Sequence, residues 1–202
     1  MTARWKSLQV PTIPEGVVGD WAVERFTVTK EQAEMDRLRS MFAYGSRGRC
    51  VPEGTYTRLR RGGAVWMSDT PDEIADHYEP IRRAKGEVLI HGLGLGVVAN
   101  ACLMKPEVDR VTVVELAAEV IELVGPWLQA QATAHGTPLC IVHDDALTWT
   151  PTRGARWDMV WHDIWPTICY DHLEDMKRLH RRFGRRASWQ GSWARDLCEA
   201  RR

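Results

Sequence analysis

The pattern of apolar and polar residues changes character at Gly86. After this residue, short continuous apolar runs, such as 87–90 and 110–116, alternate with longer segments whose apolar residues recur at helical spacing. Strands that read as continuous apolar runs and alternate with helices are typical of a parallel sheet covered on both faces. We therefore predict an α/β fold with a doubly wound, mostly parallel sheet and helices on both of its faces.

This pattern predicts five strands and three main helices. The strands are expected near 87–90, 110–116, 138–145, 157–163 and 186–193, and the helices near 97–104, 117–136 and 170–184. Pro126 is expected to kink or divide the second helix, because proline removes a backbone hydrogen bond. Since few residues follow the fifth strand, we expect a sheet that is short at its C-terminal end. Its bare edge invites cover by a second copy of the chain or by the N-terminal residues.

Before Gly86 the pattern is weaker. Residues 1–28 show no clear period and are interpreted as a surface arm. Thr29 and Gln32 have the spacing of a capping box, in which each side chain bonds to the other residue's backbone N–H. This spacing predicts a small N-terminal helix that runs to about Tyr44.

The segment that leads into the sheet predicts a hairpin and a helix. Alternating side chains at 55–69 flank a Gly-Gly turn, which supplies the positive φ angles of a tight hairpin. A second capping sequence, at 70–73, predicts one helix that runs to about residue 84. We therefore divide the chain into an N-terminal extension with a helix and a β-hairpin, residues 1–85, and a sheet domain, residues 86–202.

Composition limits the function without naming it. The chain of 202 residues is 44% hydrophobic and 27% charged with a formal net charge of zero, which offers no overall attraction for nucleic acid or an anionic membrane. No apolar run is long enough to span a bilayer, and the first residues lack the apolar core of a signal peptide. The five cysteines form no Cys-x-x-Cys pair, which predicts free thiols and a cytoplasmic location.

The most informative stretch is the turn after the first predicted strand of the parallel sheet, where Gly92, Gly94 and Gly96 follow His91. A glycine turn between a strand and a helix lets the backbone approach a nucleotide-like ligand closely. Dinucleotide-binding turns have the spacing G-x-G-x-x-G, but Val97 stands at the third glycine position here. The spacing G-x-G-x-G therefore favours a bulkier ligand that lies along the turn over a pyrophosphate.

Acidic residues end three further strands of the predicted sheet. Glu115 ends the second strand, Asp144 and Asp145 lie at the end of the third, and Asp163 ends the fourth. Because the carboxyl ends of parallel strands meet at one edge of a sheet, these side chains are expected to lie around one ligand. A carboxylate accepts hydrogen bonds from two neighbouring ribose hydroxyls or from an adenine amine. These positions therefore predict a nucleoside site.

These four strand ends together resemble the class I S-adenosylmethionine-dependent methyltransferases, over about residues 86–191. HGLGLG is similar to the family's glycine motif, VVEL to its ribose-binding acid, HDDAL to its adenine-contacting aspartate, and WDMVWHDIWP to the motif after its fourth strand. The resemblance implies a Rossmann-like fold and methyl transfer to an acceptor that the sequence does not identify. It implies S-adenosylmethionine as the cofactor, held by His91, Gly92, Gly94, Gly96, Glu115, Leu116, Asp144, Asp145 and Ala146.

Upstream residues resemble one branch of this superfamily, the spermidine synthase-like proteins. Ile90 stands where many methyltransferases have an acid, and His77-Tyr78-Glu79 resembles a helix motif of that branch. The branch transfers an aminopropyl group and has an aspartate-rich motif after the fourth strand, where this chain offers only Asp163. Aminopropyl transfer from decarboxylated S-adenosylmethionine is therefore a second hypothesis. A third is cofactor binding without turnover, in a structural or regulatory role.

Methyl transfer from a sulfonium requires alignment of the acceptor and, for some acceptors, removal of a proton. Asp163 and His162 are the candidates for this catalytic work. Because strand side chains alternate, only one of the two faces the ligand squarely, and we favour Asp163. Trp165 and, by the resemblance, Tyr78 are expected to contact the acceptor.

Two further sets of residues leave alternatives open. His91, His143 and His162 end three strands and, with nearby aspartates, match a metal site; separate histidines around a cofactor pocket, without a metal, are the favoured interpretation. The basic stretches 47–61 and 177–186 match a phosphate-binding surface for a nucleic-acid substrate, and a solvated helix face and hairpin explain them as well. The bare sheet edge makes a homo-oligomer a further expectation.

Overall fold

The computed structural model describes residues 4–42 and 50–200 of the chain. The last two residues of the helix predicted to end at Tyr44, and residues 47–49 of the first basic stretch, lie outside these ranges. The N-terminal elements are β1 (Gly16–Val18), β2 (Trp21–Val28), α1 (Lys30–Phe42), β3 (Gly54–Arg61) and β4 (Ala64–Ser68). The strands form an antiparallel sheet in the order β1-β2-β3-β4.

Two local predictions in this region are confirmed. The Thr29 hydroxyl accepts a hydrogen bond from the Gln32 N–H (3.2 Å), and the Gln32 side chain accepts one from the Thr29 N–H (2.8 Å). This reciprocal pair is the capping box that starts α1. β3 and β4 form the hairpin around Gly62, whose φ of +56° suits a tight turn. Both features depend on contacts within a few residues, which a sequence reports directly.

The interpretation of the N-terminal residues as a surface arm is wrong for residues 4–28. Residues 16–28 contain β1 and β2, and β2 pairs with β3 along its whole length. Val10 and Ile13, which precede β1, are buried in the same apolar cluster as Val88 of the parallel sheet. β2 is stabilised by a partner strand that lies beyond α1, and local periodicity does not report such a non-local pairing.

The single helix predicted after the hairpin is divided at His77 into α2 (Pro71–Asp76) and α3 (Tyr78–Arg83). Proline does occupy the first helical position, but the residue that caps α2 makes no side-chain hydrogen bond to the helix. The Glu73 carboxylate, expected to complete the capping box, instead accepts hydrogen bonds from the Ser68 backbone N–H (2.5 Å) and hydroxyl (2.9 Å). Glu73 thus ties α2 to β4 and leaves His77 buried at the helix junction.

From Gly86 onward the predicted α/β fold is confirmed. The elements are β5 (Gly86–His91), α4 (Val97–Leu103), β6 (Val108–Glu115), α5 (Ala118–His135), β7 (Leu139–His143), β8 (Trp157–His162), α6 (Leu173–Phe183), β9 (Ala187–Ser192) and α7 (Arg195–Glu199). β5 to β9 pair in parallel, in the order β7-β6-β5-β8-β9. The order reverses between β5 and β8, and such a reversal opens a crevice at the carboxyl ends of the two strands. The topology is Rossmann-like and doubly wound.

Helices cover both faces of the parallel sheet because successive strand side chains point to opposite sides. Val88 and Ile90 belong to the apolar cluster that includes α4, α5 and the N-terminal residues. Leu89, between them, belongs to a second cluster built with α6. The sheet therefore has two apolar layers, and a side chain at a strand end points toward one or the other.

The longest described helix, α5, runs for 18 residues through Pro126, so the expected division at this proline is wrong. The proline costs one backbone hydrogen bond, but buried residues on either side of it hold the helix against the sheet. Neither α5 nor any other helix in the described ranges is long and apolar enough to cross a membrane.

β9 forms one edge of the parallel sheet and pairs only with β8. The expectation that the N-terminal residues cover this edge is wrong for the described residues, because β1 and β2 lie against α5. Cover of β9 by a second copy of the chain stays a prediction. So does the division into residues 1–85 and 86–202, although one apolar cluster includes residues from both parts.

The N-terminal residues are expected to contribute to stability like core residues. Ile13→Ala should lower the free energy of unfolding by about 2–5 kcal/mol, because the side chain is fully buried and its truncation leaves a cavity. Urea unfolding followed by tryptophan fluorescence measures the change. Val17→Ala is the control, since Val17 is 75% exposed, and its effect should stay within about 0.5 kcal/mol. Equal, small effects of both variants would contradict the burial of Ile13 in the core.

Candidate functional site

A cavity of about 580 Å³ lies at the carboxyl ends of the parallel strands, beneath the antiparallel N-terminal sheet. This volume suits a ligand of nucleoside size or somewhat larger. The predicted site residues that line the cavity are Gly92, Gly94, Glu115, Leu116, Asp145, Ala146, Asp163 and Trp165. The predicted site residues outside its lining are His91, Gly96, Asp144, His162 and Tyr78. The strand ends therefore converge as expected, but not every residue at a strand end reaches the cavity.

The glycines of the turn after β5 are required by contacts within the protein. A Cβ at Gly92 would lie 2.0 Å from the Asp163 carbonyl oxygen, and one at Gly94 would lie 2.4 Å from the Met67 sulfur. Met67, in β4, also accepts a hydrogen bond from the Leu95 N–H at 3.0 Å. Gly96 begins α4 and faces α5 rather than the cavity. The turn is thus held between β8 and the N-terminal sheet, with its backbone exposed to the cavity.

The Glu115 carboxylate is oriented by two backbone N–H groups, one from the turn after β5 and one from the residue before α5. One carboxylate oxygen accepts a hydrogen bond from the Leu93 N–H (2.7 Å), and the other accepts one from the Ala117 N–H (2.8 Å). A carboxylate offers about four acceptor positions, so each oxygen keeps the capacity to bind a ligand hydroxyl. The side chain is therefore fixed at the end of β6 with free lone pairs that face the cavity.

Of the two aspartates after β7, the structure places Asp145 at the cavity and Asp144 outside it. The Asp145 side chain accepts a hydrogen bond from the Leu147 N–H (2.8 Å), and the Asp144 side chain accepts one from the Asp145 N–H (2.7 Å). Local turns of this kind set the direction of each carboxylate. Asp144 thus shapes the loop, whereas Asp145, with Ala146 beside it, faces the ligand space.

Arg182 of α6 holds the loop that follows Asp145. Its guanidinium donates hydrogen bonds to the backbone carbonyls of Leu147 (2.7 Å), Thr148 (2.7 Å) and Trp149. A planar fork with five donors suits such a cluster of carbonyls. Arg182 belongs to the basic stretch 177–186, so at least one cation of that stretch is used for hydrogen bonds within the protein. Nucleic-acid binding by the remaining basic residues of that stretch stays a prediction.

Asp163 follows β8 at the cavity and lies next to His77, which the sequence had marked only as part of a helix motif. Its carboxylate oxygen is 3.7 Å from His77 Nδ1. Burial raises the pKa of Asp163 to about 7, and the nearby negative charges of Asp76 and Glu73 add to the rise. Burial also lowers the pKa of His77 to about 4. At neutral pH His77 is therefore neutral, and Asp163 is near its midpoint.

His91 was predicted to bind the cofactor, and His162 was a candidate for the catalytic work. The positions of both side chains contradict these predictions. Both face the α6 side of the sheet and are fully buried, since His91 pairs with His162 in the β5–β8 register. Their Nδ1 atoms are 2.8 Å apart. Strand alternation therefore separates His162 from Asp163, and the guess that His91 binds the cofactor's carboxylate does not fit its position.

The protonation of this histidine pair follows from Gln190 in β9. The Gln190 amide donates to the His180 carbonyl (2.9 Å), so its oxygen accepts from His162 Nε2 (3.3 Å). Neutral His162 then accepts at Nδ1 the proton of His91 Nδ1. His91 Nε2 is left as a buried acceptor without a hydrogen-bond partner in the described residues.

Other predicted positions are also settled by their contacts. Tyr78 packs against the apolar core rather than lining the cavity. His143 is exposed, and its Nε2 bonds to the Leu116 carbonyl oxygen at 3.0 Å, so it does not join His91 and His162. Within the described ranges, no group of three or more potential ligands is placed to hold a metal ion.

Several cavity residues were missed by sequence reasoning. Trp21, Met67, Glu73 and His77 come from the N-terminal elements, and Trp193 follows β9. No local motif marks these positions, because they reach the cavity only through the packing of the N-terminal sheet onto the parallel sheet. The sequence offers one signal for them, the helix motif His77-Tyr78-Glu79, although Tyr78 rather than His77 was predicted to contact the acceptor.

No family model matches the sequence, and neither does any curated protein. The structure is similar to solved methyltransferases. One is an S-adenosylmethionine-dependent methyltransferase from Clostridium acetobutylicum (14% identity, TM-score 0.41, 57% of this chain and 44% of that chain). Another is a putative RNA methyltransferase from Pyrococcus horikoshii (14% identity, TM-score 0.45, 59% of each chain). A third is a glycopeptide N-methyltransferase complexed with S-adenosylmethionine (18% identity, TM-score 0.40, 56% of this chain and 44% of that chain).

The chain therefore covers between 44% and 59% of the length of these methyltransferases. Their substrates and activities are not transferred to it on this similarity.

The buried histidine pair is expected to make the protein less stable as the pH falls from about 6.5 to about 4. Burial lowers the pKa of His91 to about 3 and that of His162 well below its ordinary value, so only the unfolded chain binds these protons in that range. The slope is on the order of 1 kcal/mol per pH unit for each histidine. Urea unfolding at several pH values should therefore give a flatter profile for a His91→Phe/His162→Gln double variant. A His143→Asn variant, changed at an exposed histidine, should keep the parent slope; equal slopes for all three proteins would refute the assignment.

Arg182 is expected to order the loop at residues 147–149, which follows Asp145. Arg182→Met should speed amide hydrogen exchange at residues 147–149 on the order of 10-fold, because the backbone carbonyls of this loop lose the donor that ties them to α6. Exchange within β5 should not change. Arg178→Met removes an exposed cation from the same helix and should leave the loop protected. Unchanged exchange in the Arg182 variant would show that the loop is held by other contacts.

Proposed function

We propose that the chain binds S-adenosylmethionine and transfers its methyl group to an acceptor molecule. The observation that carries this proposal is the convergence, in one cavity, of the backbone at Gly92 and the carboxylates of Glu115 and Asp145. They lie at the reversal of strand order, where open α/β sheets bind their ligands. A nucleoside requires acceptors for its ribose hydroxyls and its base amine, and these side chains are acceptors.

The residues present fit this cofactor. Glu115 would accept hydrogen bonds from the two ribose hydroxyls with the lone pairs that its backbone contacts leave unused. Asp145 would accept from the adenine amine, and the exposed Leu116 and the buried Ala146 would contact the base. The backbone of Gly92 and Gly94 would lie along the methionine part. The cofactor supplies an activated methyl group on a sulfonium, and the chain supplies binding and alignment.

Two other hypotheses differ in what they require of the cavity. Aminopropyl transfer uses a cofactor that lacks the methionine carboxylate. Arg61 is the only Lys or Arg side chain among the described residues that line the cavity, and it offers a partner for that carboxylate. This favours S-adenosylmethionine itself over its decarboxylated form. Binding without turnover predicts cofactor binding and no release of S-adenosylhomocysteine with any acceptor.

Replacement of the ribose-binding acid is expected to weaken cofactor binding. Glu115→Gln should raise the dissociation constant for S-adenosylmethionine on the order of 10-fold, because charge-assisted hydrogen bonds are lost. Isothermal titration calorimetry with S-adenosylmethionine, its decarboxylated form and NAD measures this. Glu107→Gln is the matched control, since Glu107 is exposed and precedes β6 at the opposite end of that strand.

A ligand-side comparison separates ribose binding from a general effect on the glycine turn. The parent protein should prefer adenosine over 2′,3′-dideoxyadenosine, and Glu115→Gln should lose most of this preference. Tighter binding of NAD than of S-adenosylmethionine would overturn the proposed function. Tighter binding of the decarboxylated form would favour aminopropyl transfer instead.

A further inference from the structure

One end of the cavity is built from three elements that are distant in the sequence. Glu73 lies in α2, His77 follows α2, Asp163 follows β8, and Trp193 follows β9. The Trp193 indole N–H donates to the Asp76 carboxylate at 3.2 Å, which fixes its ring beside α2. We call Glu73, His77, Asp163 and Trp193 the acidic end of the cavity. The nucleoside site proposed above occupies the other strand ends.

The charges around the cavity are strongly unbalanced. The carboxylates that line it are Glu73, Glu115, Glu119, Asp145, Asp163 and Asp175, against the single guanidinium of Arg61. Arg61 belongs to the N-terminal sheet, where it lies over the rings of Trp21 (5.4 Å) and Trp66 (5.7 Å). A cavity lined by one sign of charge raises the local concentration of ligands of the opposite sign. The cavity therefore favours a cationic ligand, and Glu73 and Asp163 are the carboxylates that the acidic end offers to it.

His77 provides an independent sign of a ligand at this end. Its side chain lines the cavity and the residue is only 3% exposed, yet Nδ1 has no hydrogen-bond partner in the described residues. Asp163 Oδ2, at 3.7 Å, is too far for a hydrogen bond. A buried polar atom without a partner is costly. A ligand nitrogen placed to one side of this pair, within hydrogen-bond distance of His77 Nδ1 and of the Asp163 carboxylate, would give both side chains a partner.

Aromatic and apolar groups complete this end of the cavity. The rings of Trp165 and Trp193 and the side chain of Ile164 also line the cavity, and Ile164 and Trp165 directly follow Asp163 in the chain. Indole rings attract cations over their faces and bury apolar ligand surface at the same time. The acidic end is thus suited to a ligand with one positive group and an apolar body.

We propose that the methyl acceptor is an aliphatic amine carried on an apolar body, which enters as its ammonium ion with the nitrogen among Glu73, His77 and Asp163. This inference rests on the proposed methyl transfer and specifies its substrate class. An amine that is protonated at neutral pH satisfies the unbalanced carboxylates, and its N–H groups reach the unpartnered atom of His77.

The amine must lose a proton before it reacts, because an ammonium ion has no free electron pair. Asp163 takes that proton, and its raised pKa keeps it a sufficiently strong base near neutral pH. The freed nitrogen pair forms the bond to the methyl carbon, while the bond between carbon and sulfur breaks and its electrons stay on sulfur. The products are a methylated ammonium ion, the neutral thioether and a protonated Asp163, so the positive charge passes from sulfur to nitrogen.

Three probes with the same phenyl body test the substrate class: 2-phenylethylamine, 2-phenylethanol and 3-phenylpropionate. Calorimetry on the full chain, with and without S-adenosylmethionine, measures their binding, and release of S-adenosylhomocysteine measures turnover. The amine should bind and react on the order of 10-fold better than the alcohol. The carboxylate should be weaker still, because it is repelled by the acidic end.

Variants locate the amine. Asp163→Asn and Glu73→Gln should each weaken binding of 2-phenylethylamine on the order of 10-fold and leave that of 2-phenylethanol nearly unchanged. Asp109→Asn is the control, since Asp109 is exposed at the opposite end of β6. Two different variants are used because Glu73 also binds Ser68, whereas Asp163 has no such contact to β4.

The outcomes separate this inference from the proposed function. Preference for the amine by a protein that does not bind S-adenosylmethionine would uphold the amine site at the acidic end, but it would overturn methyl transfer and with it the role of the amine as methyl acceptor. Binding of S-adenosylmethionine with equal or better use of the alcohol or the carboxylate would overturn the inference alone. The same conclusion would follow if none of the three probes bound to a protein that binds S-adenosylmethionine.

Discussion

The close approach of β5 and β8 at their carboxyl ends is the constraint on which the rest of the site depends. The Asp163 N–H donates to the His91 carbonyl at 2.9 Å, and a side chain at Gly92 would collide with the Asp163 carbonyl oxygen. This approach places Asp163 at the cavity. On the other face of the sheet it brings His91 and His162 together. The same close approach of the two strands therefore determines which side chains line the cavity and which link β5 to β8 on the opposite face.

The sequence predicted the positions of the strand ends well, because parallel strands with helical connections bring their carboxyl ends to one edge. Glu115, Asp145 and Asp163 all reach the cavity for this reason. It predicted side-chain direction less well. His91 is one residue before Gly92, and that step moves it to the opposite face of the sheet. The glycine spacing was interpreted as room for a ligand, whereas Gly92 and Gly94 are also required by close contacts within the protein, and Gly96 by its φ of +73°.

What the sequence could not predict depends on contacts between distant segments. β2 requires β3, and the acidic end requires α2, β8 and β9 to meet. The count of charges also hides this arrangement, because a chain with zero net charge still concentrates carboxylates in one cavity. Charge summed over a chain predicts solubility and long-range attraction. It does not predict the field inside a particular pocket, which depends on which side chains the fold brings there.

The bond between the Trp193 indole and Asp76 has a consequence for the order of events during synthesis. Asp76 emerges from the ribosome long before Trp193, and the N-terminal sheet emerges before the strands that lie beneath it. The nascent chain therefore carries exposed indole rings and carboxylates that have no cavity to line. The site is completed only when the last strand of the parallel sheet has been translated and has paired.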